Sequence, residues 1–198
     1  MRLRTFHWLV LAGASLLVAA ACSSPAAPPP AKTASPFLVT ATFKDVMDSM
    51  VDPSADYLWE SVATIVTKAG TEERRPRTED DWKKVRRAAV TLIEATNLLV
   101  MDGRQVAKPG EKSENPGIEL SPEAIRRVMD DDPATLLTLA HALHDAGVKA
   151  LAAIDAKNAD ALSDAGETID NACENCHLKY WYPPDAVKIE GAGSVRKK

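Results

Sequence analysis

Cys173, Glu174, Asn175, Cys176 and His177 follow one another as Cys-x-x-Cys-His. Cysteines three apart share one face of a helix, so both thiols can reach the two vinyl groups of a single porphyrin. The adjacent His177 then points its imidazole at the iron, which is the pattern that attaches one haem c covalently and ligates it on the proximal side. Two other chemistries use the same residue types. A redox couple between Cys173 and Cys176 belongs at a strand-to-helix turn in a βαβ setting, which is missing here. A structural zinc needs four ligands, and the motif has three, so His141 or His144 would have to complete it.

The elements that must position this motif read as helices, and no stretch alternates convincingly at period two. A first helix is expected over about 38–68, with Met47, Val51, Ala55, Leu58, Val62 and Ile65 in one apolar stripe and Pro53 bending it. A second opens at Thr78 as N-cap, with Asp81 three residues on as a near capping box. It repeats Trp82, Val85, Ala89, Leu92, Thr96 and Leu99 before Gly103 stops it. Pro109, Gly110, Pro116 and Gly117 make 103–120 a long polar loop, either a docking loop for a partner or a tolerated insertion. Ser121-Pro122 starts a short helical turn. Asp132-Pro133 starts a third long helix, to about Lys157, whose stripe is Leu136, Ala140, Leu143, Gly147, Ala150 and Ile154. The last helix, about Ala159 to Trp181, carries Leu162, Ala165, Ile169, Cys173, Cys176 and Tyr180 on its buried face and ends at Pro183-Pro184. Four helices with one stripe each predict an all-α, antiparallel up-and-down four-helix bundle.

The 198 residues leave room for one such domain and little else. Arg2 and Arg4 followed by an apolar run from Trp8 to Ala20, too short to span a membrane comfortably, read as an export signal over 1–21. Its end, Val18-Ala19-Ala20-Ala21-Cys22, resembles the lipobox of bacterial lipoproteins, where the residue matching Cys22 is acylated. Ordinary cleavage after Ala21, giving a soluble periplasmic protein, is the alternative. Residues 22–36 are a Pro/Ala/Ser linker of the kind that tethers a domain. The expected layout is therefore a lipoprotein signal peptide, this linker, a cytochrome domain over 37–182, and a tail over 183–198 with a disordered basic end. The expected location is the periplasmic side of a bacterial membrane, held by the lipid. Removal of Arg2 and Arg4 takes the formal net charge two units below −4, and no basic patch argues for nucleic acid. All three cysteines have assignments other than a disulfide: Cys22 to lipid, Cys173 and Cys176 to haem.

The motif near the end of the last of four helices, with a Met-bearing apolar face on the first, resembles the class II c-type cytochromes over about residues 38–181. Cytochrome c′ is the best-known member of that family. The resemblance implies a left-handed bundle with the haem held between helices near one end, and a residue of the first helix over its distal face. By position Met47 matches that distal residue, with Met50 as the fallback. Two departures stand out. The family's Arg after the motif, in a His-x-x-Tyr-Arg pattern, is Trp181 here, although Tyr180 matches, and the Arg four before the distal residue is Phe43. The usual charge partners of the haem propionates are therefore missing, with Lys44 or Lys179 as substitutes or as plain surface charges.

A thioether opposite imidazole holds iron in both oxidation states with little rearrangement, so a ligating Met47 makes an electron carrier that exchanges one electron with a redox partner protein and performs no catalysis. A non-ligating Met47, filling the core, leaves an open site for nitric oxide or carbon monoxide. A haem peroxidase would need a distal acid-base pair, which only His141 or His144 offers; the same residues would make the haem bis-histidine. Trp59, Trp82 and Tyr57 are candidates for the pocket wall or for ordinary core. The resemblance also leaves a homodimer through the first two helices open.

Overall fold

A computed structural model describes residues 36–186, 188 and 189. The export signal, Cys22 and nearly all of the linker lie outside these residues, as does the basic end of the tail. The described chain belongs to the unit Ser35–Lys198. It is mostly helical, with one small hairpin, and no described helix is long and apolar enough to cross a membrane.

The first helical stretch has three parts: α1 (Phe43–Val46), a π-helical turn (Met47–Val51) and α2 (Asp52–Glu60). Thr42 and Asp45 form a reciprocal capping box that starts it. The widened turn has a local cause. Pro53 has no N–H to give back to the preceding turn, and its ring crowds the carbonyl there. The backbone therefore switches to longer bonds, Asp52 N–H reaching back five residues to Met47 O. The expected bend at Pro53 is thus a wide turn just before it, with Met47 as its first residue.

The predicted first helix does not continue to 68. It ends at Glu60, and β1 (Thr64–Thr67) pairs antiparallel with β2 (Gly70–Glu73), Thr64 opposite Glu73 and Thr67 opposite Gly70. All four residues Thr64, Ile65, Val66 and Thr67 are stiff β-branched types that favour a strand over a further helical turn. Gly70, at φ +135°, closes the two-residue turn in a region where a side chain would be strained.

Helix α3 (Glu79–Leu99) starts at Thr78 with a full capping box to Asp81, and Trp82, Val85, Ala89, Leu92, Thr96 and Leu99 are all buried. Helix α4 (Pro122–Asp131) runs ten residues, longer than the expected short turn. Asp132 ends it and caps α5 (Pro133–Asp155), accepting from Thr135 N–H at 3.1 Å. Lys157, at φ +51°, turns the chain into α6 (Ala159–Tyr180) through paired bonds, Asn158 N–H to Ala153 O at 2.9 Å and Lys157 N–H to Ile154 O at 2.9 Å.

Among the described residues the backbones of the long helices approach in a closed ring: α2 on α3, α3 on α5, α5 on α6, and α6 back on α2, with no close backbone approach across either diagonal. Neighbours run in opposite directions. Arg86 near the start of α3 meets Asp155 at the end of α5 at 2.9 Å, and Trp59 at the end of α2 donates to Gly166 O in the first half of α6 at 3.0 Å. Packing is tight where small residues allow it: a Cβ on Gly147 would stand 2.8 Å from Ile93 Cγ1. The packed chain continues past Pro184, with Ala186 buried and Ile189 against the core.

Segment 103–120 has no regular element, as expected, but it is not simply polar: Arg104, Val106 and Leu120 are buried. Its carbonyls receive the free N–H groups of α1, Phe43 N–H reaching Gln105 O at 2.7 Å and Lys44 N–H reaching Val106 O at 2.9 Å. Glu119 organises its far end, accepting from Ser113 Oγ at 2.9 Å and from the N–H groups of Glu114 and Asn115 at 3.1 and 3.0 Å. Burial pushes this carboxyl up; hydrogen bonds from Trp181, these backbone groups and Ser113 outweigh it and hold it low.

Candidate functional site

Cys173, Cys176 and His177 lie in the last two turns of α6, which the Asn158 cap and the buried stripe Leu162, Ala165, Ile169 hold against α5 and α2. One narrow cleft collects all three with Met47 from the π-helical turn, and its empty space, open mouth included, is about 650 Å³. The remaining wall comes from Phe43, Leu99, Val106, Ile125, Met129 and the α5 residues Leu136, Leu139, Ala140 and Leu143, with Ala172, Tyr180 and Trp181 closing it on α6. The lining is almost wholly apolar.

Both cysteines are free thiols. Burial pushes Cys173 up to about 12 and Cys176 up to about 11, with Asp52 and Cys176 adding to the rise at Cys173. Thiol–disulfide exchange needs a thiolate with a depressed pKa, so this setting is the opposite of what a redox couple uses. His177 is half-buried; its ring stands 5.8 Å from Tyr182, edge-on, and 6.4 Å from Trp181. Trp181 and Tyr182 both donate their N–H to His177 O, at 2.7 and 3.0 Å, which fixes the backbone of the histidine. Partial burial raises the Asp52 carboxyl, and His177 opposes the rise. Tyr180 is 2% exposed, and its hydroxyl is a buried polar atom with no partner. Burial, with Cys176 and Asp132, pushes that phenol up to about 12.

The other predicted residues lie elsewhere. Met50 packs partly buried against the core but does not line the cleft. His141 is exposed, and His144 pairs with Asp145 at 3.2 Å; neither reaches the cleft. Among the described residues no three His, Cys, Asp or Glu side chains gather as a metal cluster, so the zinc alternative finds no fourth ligand there. Trp59 and Trp82 belong to the packing of the opposite half, and Tyr57 is exposed. Lys44 pairs with Glu114 at 2.9 Å, and Lys179 stands 3.9 Å from Asp132. Cys22 lies outside the described residues.

Sequence reasoning missed a second thioether. Met129 of α4 is 2% exposed and lines the same cleft. Its only signal was its place, with Ile125, on one face of the short helix after Pro122. Val106 was hidden in a segment read as polar loop. The donor set of the cleft is thus two thiols, one imidazole and two thioethers in an apolar setting, side chains of the kinds that form covalent sulfur links and ligate soft metals. Compared with known proteins, the chain matches no family model, no curated relative and no solved structure.

Proposed function

We propose that this chain is an exported, lipid-anchored monohaem c-type cytochrome, its ring of helices an antiparallel four-helix bundle of the class II kind, and that it carries single electrons between partner proteins. One observation carries the reading: Cys173, Cys176 and His177 share a single apolar cleft with Met47, contributed by a different helix.

The residues fit the group. The two thiols are protonated and sheltered from water, as suits side chains destined for thioether links, and the lining is the apolar wall that a porphyrin face needs. Tyr180, whose hydroxyl is buried without a partner, lines the same space. When bound, the haem supplies the one-electron couple. The chain does the rest. Cys173 and Cys176 would hold the group in place, and His177 and Met47 would supply an imidazole and a thioether to its iron. The apolar wall would exclude water from the group. Lipid on Cys22, with the 22–36 linker as tether, would keep the carrier at the periplasmic face of a membrane, a reading supported by the sequence pattern of the N-terminus.

The test is to produce the chain where haem is attached to exported cysteines, then denature it and look for haem that stays with the polypeptide. Haem retained by the wild type and lost in Cys173→Ser/Cys176→Ser supports the reading. A wild-type chain that releases its haem, or never takes any, overturns it.

A further inference from the structure

Arg104 is 6% exposed, yet its guanidinium reaches only uncharged acceptors: Leu98 O at 2.6 Å, Ala41 O at 2.5 Å and Met101 Sδ at 3.4 Å. No ion pair to it is found among the described residues, and burial pushes its pKa down. A buried cation without a counter-ion is costly, and burial alone gives no reason for one here. Beside it Arg126 donates to Arg104 O at 3.3 Å and pairs with Asp130 at 2.7 Å, while its Nε is buried with no partner. Both arginines line a second hollow, which shares Phe43, Leu99, Met129 and Leu136 with the cleft of Met47 and His177. Asp102 and Asp130 line it too, but Asp102 is exposed and pairs with neither arginine, and Asp130 is already taken by Arg126.

We infer that Arg104 and Arg126 form an anion-receiving end of the cleft, and, resting on the function proposed above, that they bind the carboxylate edge of the haem. The placement explains how the chain manages with Phe43 and Trp181 at the positions where the resembling family carries arginine. Arg104 hydrogen-bonds Ala41 O, two residues from Phe43, so a charge absent from the first helix is delivered to its start from segment 103–120. Arg126, on α4, adds the second donor set, and its free Nε is the atom that awaits an acceptor.

The experiment is the midpoint potential of the holoprotein between about pH 5 and 9, for wild type, Arg126→Gln and Arg126→Lys. Arg126 has a side chain 37% exposed and is the safer position to change; Arg104→Lys is the second variant. The reduced haem carries one more negative charge than the oxidised form, so removing a cation from its carboxylate lowers the potential. It also moves the pH-dependent break upward by about one unit, a tenfold rise in the proton affinity of that carboxylate. Arg126→Lys restores most of both changes, which a merely structural role would not do. A potential and pH profile unchanged in Arg126→Gln, with haem attached, overturns this inference and leaves the functional reading standing. A wild type without covalent haem overturns both.

Discussion

The two halves of the helical body are built from the same helices and solve opposite problems. In the half that holds Trp59, Gly166, Ile93 and Gly147, side chains fill the space between helices: the Trp59 indole lies over Gly166 and Ile93 presses on Gly147. Ion pairs between α3 and the α5–α6 turn, Arg86 with Asp155 and Lys157 with Glu79, fasten it. In the half that holds Met47 and His177 the same helices part around a hollow walled by Leu139, Ala140, Leu143 and Ala172, and a tyrosine hydroxyl is left without a partner. A protein that needed only to fold would fill both halves, because interiors close-pack to the density of organic crystals. The hollow is where the core is least filled, and on the proposed reading a bound group completes it.

Substitutions in each half should break this contrast in different ways. The largest effect is expected from Cys173→Ser/Cys176→Ser: all covalently held haem is lost, and thermal unfolding of the purified chain becomes broader and lower, because the hollow half then has nothing to pack around. Retained covalent haem would contradict the assignment of these thiols.

Next come the two thioethers. Met47→Leu keeps apolar volume, which limits its cost to below about 1.5 kcal/mol in stability, but on the proposed reading it removes a haem ligand. The ferrous protein should then bind carbon monoxide at once, and the weak far-red methionine-to-iron band should vanish. Met129→Leu should leave both unchanged. If the two variants exchange these outcomes, Met129 is the ligand and the π-helical turn merely packs.

Much of this was legible in the sequence, and what was not has physical causes. Thr78 and Asp81 announce α3 because a capping box is local, and the stripe Leu162, Ala165, Ile169 carries the cysteines to the buried face because period 3.6 persists through α6. The same periodicity put Met47 in the apolar stripe of the first helix, while its role as a ligand came only from the resemblance. The hairpin was not, because Ile65 happens to extend the preceding helical stripe and four-residue strands are too short to show a period. Nor was the structural work of 103–120, since Arg104 acts on Ala41 O, 63 residues away in sequence, through acceptors that every residue has. Trp59 and Trp82 gave no clue as to which half they serve.

In the filled half, Gly147→Ala should cost stability without touching the proposed haem site. Its Cβ would stand 2.8 Å from Ile93 Cγ1. Overpacking of this kind costs about 1–3 kcal/mol, against about 1 kcal/mol regained from helix propensity. Denaturant titration should show a lower midpoint while the absorption spectrum stays that of wild type; a changed spectrum would mean that the halves are not separable.

The smallest effect concerns the start of α1. The Lys108 ammonium beside Asp45, with hydrogen bonds from Thr42, holds its carboxyl down at about 2. A depressed pKa favours the folded state above the unfolded value of 3.8 and loses that contribution as pH falls from there toward about 2. Asp45→Asn should flatten the acid limb of the melting temperature between about pH 4 and 2, and leave the profile near neutrality almost parallel to wild type. An unchanged acid limb would remove Asp45 from the account.

The most direct measurement is the absorption spectrum of the purified holoprotein, ferric and ferrous, with and without carbon monoxide. A low-spin spectrum with the methionine band, indifferent to the gas, is the predicted result: six-coordinate iron between His177 and Met47, built for electron transfer. A high-spin spectrum that shifts as soon as carbon monoxide is added would contradict it, leaving Met47 as wall and the cleft as a gas-binding site.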